Sequence, residues 1–599
     1  TYISEGTLEV NGEIKGNVNL RARGTLSGKA IVNAISFEGA LNYEGCRLMP
    51  TEQMTFKQGL KLDRKVYMEM DITTAEGNQR ADLIKVEGDL GLSAPAIFTI
   101  VPAESDVQPG KFKLIEYTGQ LTGKANFSVR GLTGLSYEIV HEDKAIYLVI
   151  NAQRSAAQGV IWSGHTSSTW DYQTPNFLLG TDTTEFVAGD EVEFNDEAQS
   201  VLITLTDLMP IGKVTVNNNE KNISFTGDGG LSGSGSLIKE GSGRLSLVTT
   251  KSDYTGPTII NGGTVLVKEL ADGGLPSSIG AASSSPENLQ IGKATLNIDN
   301  ANTATDRGIT LTDTASIQVN SGTTSLKGQI KGDGMLVKKG AGQLNITYGG
   351  ANTWSGGTRL VAGTLAMGTW NTTFGTSTSK IEVTGNSTIR IFDQNSTSTV
   401  PNLNNTIDIL KGKTLTIVGG KRCAIRGKLT GEGTLRISFP YVRGDVYTNM
   451  SAFQGTYEAT SGQLRLASAI DLSQGTLKLG ADVYAAHVEG GGKNEKILTS
   501  KIGALTSSVN TCTLASGIWN VGYLGTDDTY AGICNSSATI NKYGEGTPTL
   551  TGASQGKLNI YEGCVLAGNT STATTSGATT VYEGGKLAGG GKIAAVTIK

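Results

Sequence analysis

The chain has 599 residues and a net charge of −4, and it contains 81 Gly but only 12 Pro. Hydrophobic residues make up 38% and charged residues only 17%, which argues against collagen, simple disorder and a nucleic-acid partner. No apolar run approaches the ~18 residues of a membrane span, so we expect no direct membrane span in this chain.

Residues 1–63 are predicted to form the N-terminal coils of a solenoid, and residues 64–158 a degenerate or inserted β segment. The opening "EGTLEVNGEIKGNVNL" alternates single aliphatics with Gly and polar residues, as short strands joined by tight turns do. Stretches such as "RKVYMEMDITT" and "KAIYLVI" keep this alternation with more charge and less Gly. They indicate broader strands, either in a wider part of the coil or in a small inserted β-domain.

Residues 159–222 are predicted to be connecting coils that contain tryptophan. Trp162 and Trp170 could stack sugar rings if they share an exposed face, or they could form a packed corner that caps the coil. The acidic residues near Asp190 and Glu193 could bind Ca²⁺ or form a solvated edge that discourages aggregation. We therefore name Trp162, Trp170, Asp190 and Glu193 as candidate glycan-binding residues.

Residues 223–470 are predicted to be the central, repeat-bearing part. The stretch "LSGSGSLIKEGSGRLSL" (231–247) aligns with "IKGDGMLVKKGAGQLNI" (330–346) in its glycines, its aliphatics and its lysine. Further on, "YTGPTIINGGTVLV" (254–267) aligns with "WSGGTRLVAGTLAM" (354–367). The predicted inward-facing core residues are Leu237, Leu245, Leu247, Leu336, Leu344 and Ile346. The predicted corner residues are Gly241, Gly263, Gly340 and Gly363.

Residues 471–599 are predicted to be C-terminal coils that are open at the end. The stretch "INKYGEGTPTLTG" (540–552) repeats the Lys-x-Gly-x-Gly pattern, and Lys599 ends where a further coil is expected. An open end exposes a strand edge, so we expect a further domain or anchor beyond one or both ends.

The repeats predict an all-β fold, a right-handed parallel β-helix (β-solenoid) with irregular or inserted β segments. Alternation at a period of two gives strands of four or five residues, and glycines allow the sharp corners between them. One repeat buries too few aliphatics to offset its chain entropy, so only stacking makes the array stable.

The stretch "GSGSLIKEGSGRLSLVTTKSDYTGPTIINGGTVLV" resembles the autotransporter-associated β-strand repeat of bacterial surface passenger proteins. The resemblance is strong at 223–267, 326–367 and 530–599 and partial at 1–45 and 405–470. It implies a parallel β-helix at an extracellular or cell-surface location, with the Gram-negative outer membrane as the expected site. The repeat motif itself says almost nothing about activity.

No catalytic residues, cofactor or metal site are predicted. The three histidines lie far apart, and neither a nucleophile elbow nor a phosphate-binding loop is present. Cys512 and Cys534 lie 22 residues apart, so they could form a disulfide between adjacent coils or stay as buried free thiols.

The leading functional hypothesis is a non-enzymatic rigid stalk, display scaffold or adhesive surface, with surface glycans or self-association as candidate partners. One alternative is a polysaccharide-degrading β-helix enzyme or its glycan-binding accessory part, which requires acids and aromatics in one groove. Another is an adhesin that self-associates through polar ladders, which requires a long flat polar face.

Overall fold

The computed structural model describes residues 1–38, 45–75, 78–105, 107–124, 127–132, 135, 137–150, 154, 156–369, 372–376, 379–392, 401–419, 423–489, 495–568 and 574–599. The chain divides into two compact units, Thr1–Glu191 and Val192–Lys599. Almost all regular structure is β-strand, and a single turn of 3-10 helix, Pro286–Asn288, occurs in the described ranges.

In the first unit, parallel strands stack into four sheets. The two smaller sheets contain Tyr2–Ile3, Val18–Arg21 and Ile35–Glu38, and Leu60–Leu62, Leu90–Leu92 and Leu121–Gly123. One larger sheet contains Gly6–Glu9, Gly24–Gly28, Cys46–Pro50, Val66–Thr73, Ala96–Pro102 and Phe127–Arg130, with Arg80–Ala81 antiparallel to the fourth of these. The other contains Glu13–Ile14, Ile31–Val32, Gln53–Phe56, Leu83–Val86, Gly110–Tyr117, Ala145–Ile150 and Tyr137–Glu142.

The end of the first unit departs from the parallel stack. Ala145–Ile150 runs antiparallel to both of its neighbours in the sheet. Gly159–Trp162, Thr169–Trp170, Phe177–Leu179 and Asp182–Thr184 follow, and three of these form an antiparallel meander. The strand Glu191–Asn195 spans the division between the two units.

In the second unit, parallel strands recur about once per repeat and pair with their counterparts in the next repeat, except that Lys496–Ile497 runs antiparallel to Tyr484–Glu489. One stack contains Lys213–Asn217, Ser236–Glu240, Thr258–Ile260, Leu289–Ile291, Ile309–Leu311 and Ile330–Lys331. A second contains Leu202–Leu205, Ile223–Thr226, Arg244–Leu247, Thr264–Val267, Thr295–Ile298, Thr314–Val319, Met335–Lys339, Thr358–Leu360, Lys380–Val383, Thr406–Ile409, Leu429–Gly431 and Ala452–Phe453.

A third stack of 19 strands runs to the last residues of the chain. It contains Asn302–Thr305, Thr323–Leu326, Gln343–Ile346, Gly363–Met367, Ser387–Arg390, Asn402–Leu403, Thr414–Val418, Cys423–Ile425, Thr434–Val446, Thr456–Leu466, Asp471–Leu479, Tyr484–Glu489, Lys496–Ile497, Thr499–Thr506, Thr513–Val521, Ile533–Lys542, Lys557–Ile560, Thr574–Val581 and Lys592–Ile598. Two short stacks contain Leu208–Pro210 and Gly230–Ser232, and Thr529–Tyr530, Thr549–Leu550, Gly563–Ala567 and Gly585–Ala588.

Register explains how the core forms. Leu245 pairs with Val265 and Leu344 pairs with Leu365, so aliphatics from successive repeats lie directly over one another. Each inward residue alternates with an outward polar one, as in the pattern of Gln343–Ile346, where the second and fourth residues are buried. The predicted all-β solenoid of parallel strands is thereby confirmed, and it carries the expected irregular segments.

Candidate functional site

The two tryptophans that were candidate sugar platforms are inside the protein. Trp162 and Trp170 are both 0% exposed, and their ring centroids lie 6.4 Å apart. Phe177 packs edge-on against Trp162 at 5.2 Å, and Phe186 packs edge-on against Trp170 at 5.4 Å. The exposed-face interpretation is therefore wrong, because neither ring can stack on a sugar. The antiparallel strands that contain Trp162 and Phe177 direct both rings inward.

Asp190 is also buried, and its carboxylate is fully used by the protein. Both of its oxygens accept hydrogen bonds from the guanidinium of Arg154, at 3.0 and 2.6 Å. The same oxygens accept the backbone N–H groups of Gln158 and Val187, each at 2.8 Å. Asp190 thus ties Arg154 and Gln158 to the turn that contains Val187. Glu193 is half-buried on its strand and belongs to the second unit.

The predicted core residues of the repeats are buried, as the alternation of apolar and polar residues predicts. Six residues are at most 1% exposed: Leu237, Leu245, Leu247, Leu336, Leu344 and Ile346. The four predicted corner glycines have φ between +64° and +77° and lie at strand ends: Gly241, Gly263, Gly340 and Gly363. At Gly340 an added Cβ would also meet the carbonyl oxygen of Val319 in the preceding repeat. Glycine is thus required there both by φ and by close stacking.

Buried lysines are a feature of the repeat to which sequence reasoning gave no role. Lys239, Lys338 and Lys542 are each at most 1% exposed, although lysine is almost never fully buried without partners. The Nζ of Lys338 donates to the carbonyl oxygens of Lys339 and Gly340, both at 2.7 Å, and of Ala362 at 3.2 Å. The conserved spacing Lys-x-Gly within the repeats was the available signal.

Lys542 makes the equivalent three contacts, and Lys239 makes two of them. Lys542 donates to the carbonyls of Tyr543 at 2.8 Å, Gly544 at 2.6 Å and Glu562 at 3.3 Å, and Lys239 donates to those of Glu240 and Gly241. Burial lowers the pKa of Lys239 and of Lys338 to about 8 and also lowers that of Lys542. The ammonium groups therefore cap main-chain carbonyls at the turn and have a structural role.

Ordered polar ladders line the outward face of the C-terminal repeats. The side-chain amides of Asn520, Asn541 and Asn559 form a continuous chain of hydrogen bonds, with distances of 2.8 and 2.9 Å. Tyr543 follows Asn541 by two residues, and Tyr561 follows Asn559 by two. These two tyrosines belong to a stack of four rings: Tyr523, Tyr543, Tyr561 and Tyr582. Neighbouring ring centroids in the stack lie 5.4, 5.0 and 4.4 Å apart, with interplanar angles of 15° or less.

An acid-lined cavity of about 400 Å³ occurs in the first unit, beside Glu52, Asp71 and Asp82. Burial raises the pKa of Asp82, which is the change that a general acid requires. However, its two oxygens accept the backbone N–H groups of Glu52 at 2.7 Å and Asp71 at 2.9 Å. Asp82 therefore has a clear structural role in joining two strands.

Two kinds of feature are absent from the described ranges. No group of three or more His, Cys, Asp and Glu side chains there is arranged to hold a metal ion. None of the helical structure described has the length and apolarity that crossing a lipid bilayer demands. Cys512 and Cys534 are buried free thiols, and the Cys512 thiol donates to the hydroxyl of Ser507 at 3.1 Å.

Residues 237–267 and 336–367 match the family described as passenger-associated-transport-repeat. The chain is also similar to the adhesin BmaC autotransporter of Brucella suis biovar 1 (strain 1330), with 36% identity over 162 residues. That match covers 26% of this chain and 5% of the relative, so the chain corresponds to only a small part of the relative's length. No solved structure matches the chain. The two segments 237–267 and 336–367 are therefore passenger repeats, and the resemblance seen in the sequence is confirmed there.

Proposed function

We propose that this chain is a non-enzymatic, adhesive display segment of a protein on the outer surface of a Gram-negative bacterium. The passenger repeats support the location, and the similarity to part of a Brucella adhesin supports the adhesive role. The observation that carries the proposal is the outward ladder of Asn520, Asn541 and Asn559 beside the stacked tyrosines.

The ladders fit adhesion because they present the same groups once per repeat on a rigid backbone. Amides and phenolic hydroxyls both donate and accept hydrogen bonds, so an extended partner can make many weak contacts in register. The side-chain amides already bond to one another, so little side-chain entropy remains to be lost on binding. Under this proposal the stacked core is the rigid support, and a further domain beyond the chain supplies the anchor.

The proposal is tested with beads to which the full chain is attached by one end. We expect the beads to adhere to a glycan array or to one another, and the variant Tyr543→Ala/Tyr561→Ala to lose most of that adhesion. Tyr348→Ala is the matched control, because Tyr348 is a half-buried tyrosine of the same unit outside the stack. Equal adhesion of all three proteins would contradict the role of the ladder.

The alternative of polysaccharide degradation has its own test. The full chain is incubated with plant, host and bacterial polysaccharides, with and without Ca²⁺, and new reducing ends are measured. We expect no turnover. Turnover that disappears in Asp71→Asn or Glu52→Gln, two of the three acids that line the 400 Å³ cavity, would overturn the non-enzymatic proposal.

A further inference from the structure

Three basic side chains converge on one tyrosine ring in the first unit. The guanidinium carbons of Arg47 and Arg130 lie 5.8 and 5.7 Å from the centroid of Tyr67, and the Nζ of Lys65 lies 5.3 Å from it. Arg47 and Arg130 are exposed, and Lys65 and Tyr67 are half-buried. We call these four residues the Tyr67 basic cluster.

Strand register produces the cluster. Arg47 is the direct partner of Tyr67 on the neighbouring strand, and their inward neighbours Leu48 and Met68 are both 0% exposed. Lys65 precedes Tyr67 by two residues and lies immediately before the strand Val66–Thr73. Arg130 belongs to the strand Phe127–Arg130, which lies two strands away from Tyr67 on the side opposite Arg47. Its side chain extends across the intervening strand to the ring of Tyr67. The charges therefore lie along the stacking direction, on the outward face.

The three cations of the cluster lack acidic partners among the described residues, whereas several other cations of the same unit are paired with carboxylates. Arg21 pairs with Glu38 at 3.0 Å, Lys29 pairs with Glu52 at 2.7 Å, and Lys57 pairs with Glu13 at 2.7 Å. Within the ranges that the structure describes, Arg47, Lys65 and Arg130 have no carboxylate within ion-pair distance. Cation–π contacts hold the three charges near one another, although like charges repel.

We propose that the Tyr67 basic cluster binds an acidic polysaccharide through its sulfate or carboxylate groups, an inference that rests on the proposed adhesive function. Guanidinium forks donate two hydrogen bonds to such groups, and Lys65 adds a compact charge. The three closely spaced cations displace counterions from the acidic polysaccharide, and the release of those counterions favours binding. Nucleic acid fits less well, because the one ring is already in contact with cations and offers no platform for successive bases.

The test measures binding of the immobilised full chain to heparin, polygalacturonate and uncharged dextran. We expect the first two to bind, more weakly as salt rises, and dextran not to bind. Polygalacturonate carries only carboxylates and heparin carries sulfates as well, so binding to heparin alone would identify sulfate as the required group. A single-stranded oligonucleotide and vesicles of anionic lipid are the competing ligands, and preference for either one would overturn the proposal.

The decisive variant is Arg47→Gln/Arg130→Gln, and the matched control is Arg21→Gln/Lys29→Gln, which removes two paired cations. We expect about a tenfold or greater loss of affinity for acidic glycan in the first and about twofold or less in the second, because only the first removes direct contacts. Equal losses in both would show a general charge effect and overturn the site. Circular dichroism checks folding, and Arg130→Gln alone replaces the double variant if that variant unfolds.

Failure here is distinguishable from failure of the proposed function. If acidic glycans do not bind while beads still adhere through the tyrosine stack, the basic cluster is not a site and the adhesive role stands. If neither the beads nor the glycans bind, both proposals fail.

Discussion

The long strands at 66–117 and the short repeats at 237–367 build the same kind of parallel stack in different ways. Val66–Thr73 has eight residues and directs Val66, Met68, Met70 and Ile72 into the core. Gln343–Ile346 has four residues and contributes only Leu344 and Ile346. The repeats therefore depend more heavily on each inward residue and on the turns between strands.

The turns differ as well. Four of the five non-glycine residues with positive φ in the described ranges lie in the first unit: Arg23, Glu52, Asp143 and Lys144. The first unit also has positive φ at glycines such as Gly59 and Gly88, whereas every residue with positive φ in the repeats at 237–367 is a glycine. At corner glycines such as Gly340 the neighbouring repeat lies too close for a side chain, and a buried lysine caps the carbonyls. A tight corner can thus contain a non-glycine residue, at a cost in backbone strain. Alternatively, it can contain glycine together with a lysine that caps the carbonyls, which is the arrangement that recurs in the repeats.

The largest expected effect comes from charging a short strand. Leu344→Asp places an unpaired carboxylate between stacked aliphatics and should destabilise the repeat by about 3–5 kcal/mol, unless the acid becomes protonated. The matched control is Asn345→Asp, one residue along and facing outward. Limited proteolysis with mass mapping should show cleavage near 335–346 in the first variant only. Equal resistance in both would mean that the inward register is wrong by one residue.

Removing a lysine cap should have the next largest effect. Lys338→Met leaves three carbonyls without their donor and should cost about 1–3 kcal/mol at pH 7. Lys339→Met, at the neighbouring half-buried position, is the control. Hydrogen exchange at 335–346 is the measurement, and similar protection in both variants would refute the capping role.

The same lysines predict an alkaline pH dependence. Burial lowers the pKa of Lys239 and Lys338 to about 8, whereas an unfolded lysine titrates near ~10.4. Between these values the unfolded chain binds more protons, so the free energy of unfolding should rise with pH across that window. Denaturant titrations at several pH values should show the rise, and Lys338→Met should reduce it.

Alanine substitutions should have a smaller effect, and they distinguish the two reasons for glycine at the corners, positive φ and close stacking. Gly340 and Gly412 have φ of +77° and +72°, but an added Cβ meets a carbonyl oxygen at Gly340 and nothing within 4 Å at Gly412. Gly412→Ala should cost about 1–2 kcal/mol for the left-handed backbone alone, and Gly340→Ala should cost more. Chemical denaturation of both variants gives the difference. Equal costs would show that close stacking adds nothing.

The smallest expected effect is an acid sensitivity at His487. This side chain is 0% exposed, Nε2 lies 2.7 Å from the carbonyl oxygen of Ser468, and burial lowers its pKa. Below pH ~6.5 the unfolded chain takes up a proton more readily, so the free energy of unfolding should fall as pH drops. His487→Gln should show a weaker fall between pH 7 and pH 5. An unchanged profile would contradict the assignment to His487.

Much of the fold was predictable from particular residues. The alignment of Gly241 with Gly340 and of Leu245 with Leu344 gave the repeat, its core and its corners, because period and turn chemistry are local properties. The candidate ligand site near Trp162 was not predictable in this way. Whether a tryptophan faces water or the core depends on which strand folds back over it, and Phe177 supplies that strand from 15 residues away.

The sequence by itself determined that the chain is a β-solenoid of stacked repeats, since alternation and glycine spacing recur along it. Only the tertiary structure decided which polar groups are internal, such as Asp190 and Lys338, and which charges meet on the surface. Arg47, Tyr67 and Arg130 lie on three different strands, and their proximity follows from pairing between those strands. Local pattern fixes the strands, whereas register between distant strands fixes their contacts, and no short stretch of sequence encodes that register.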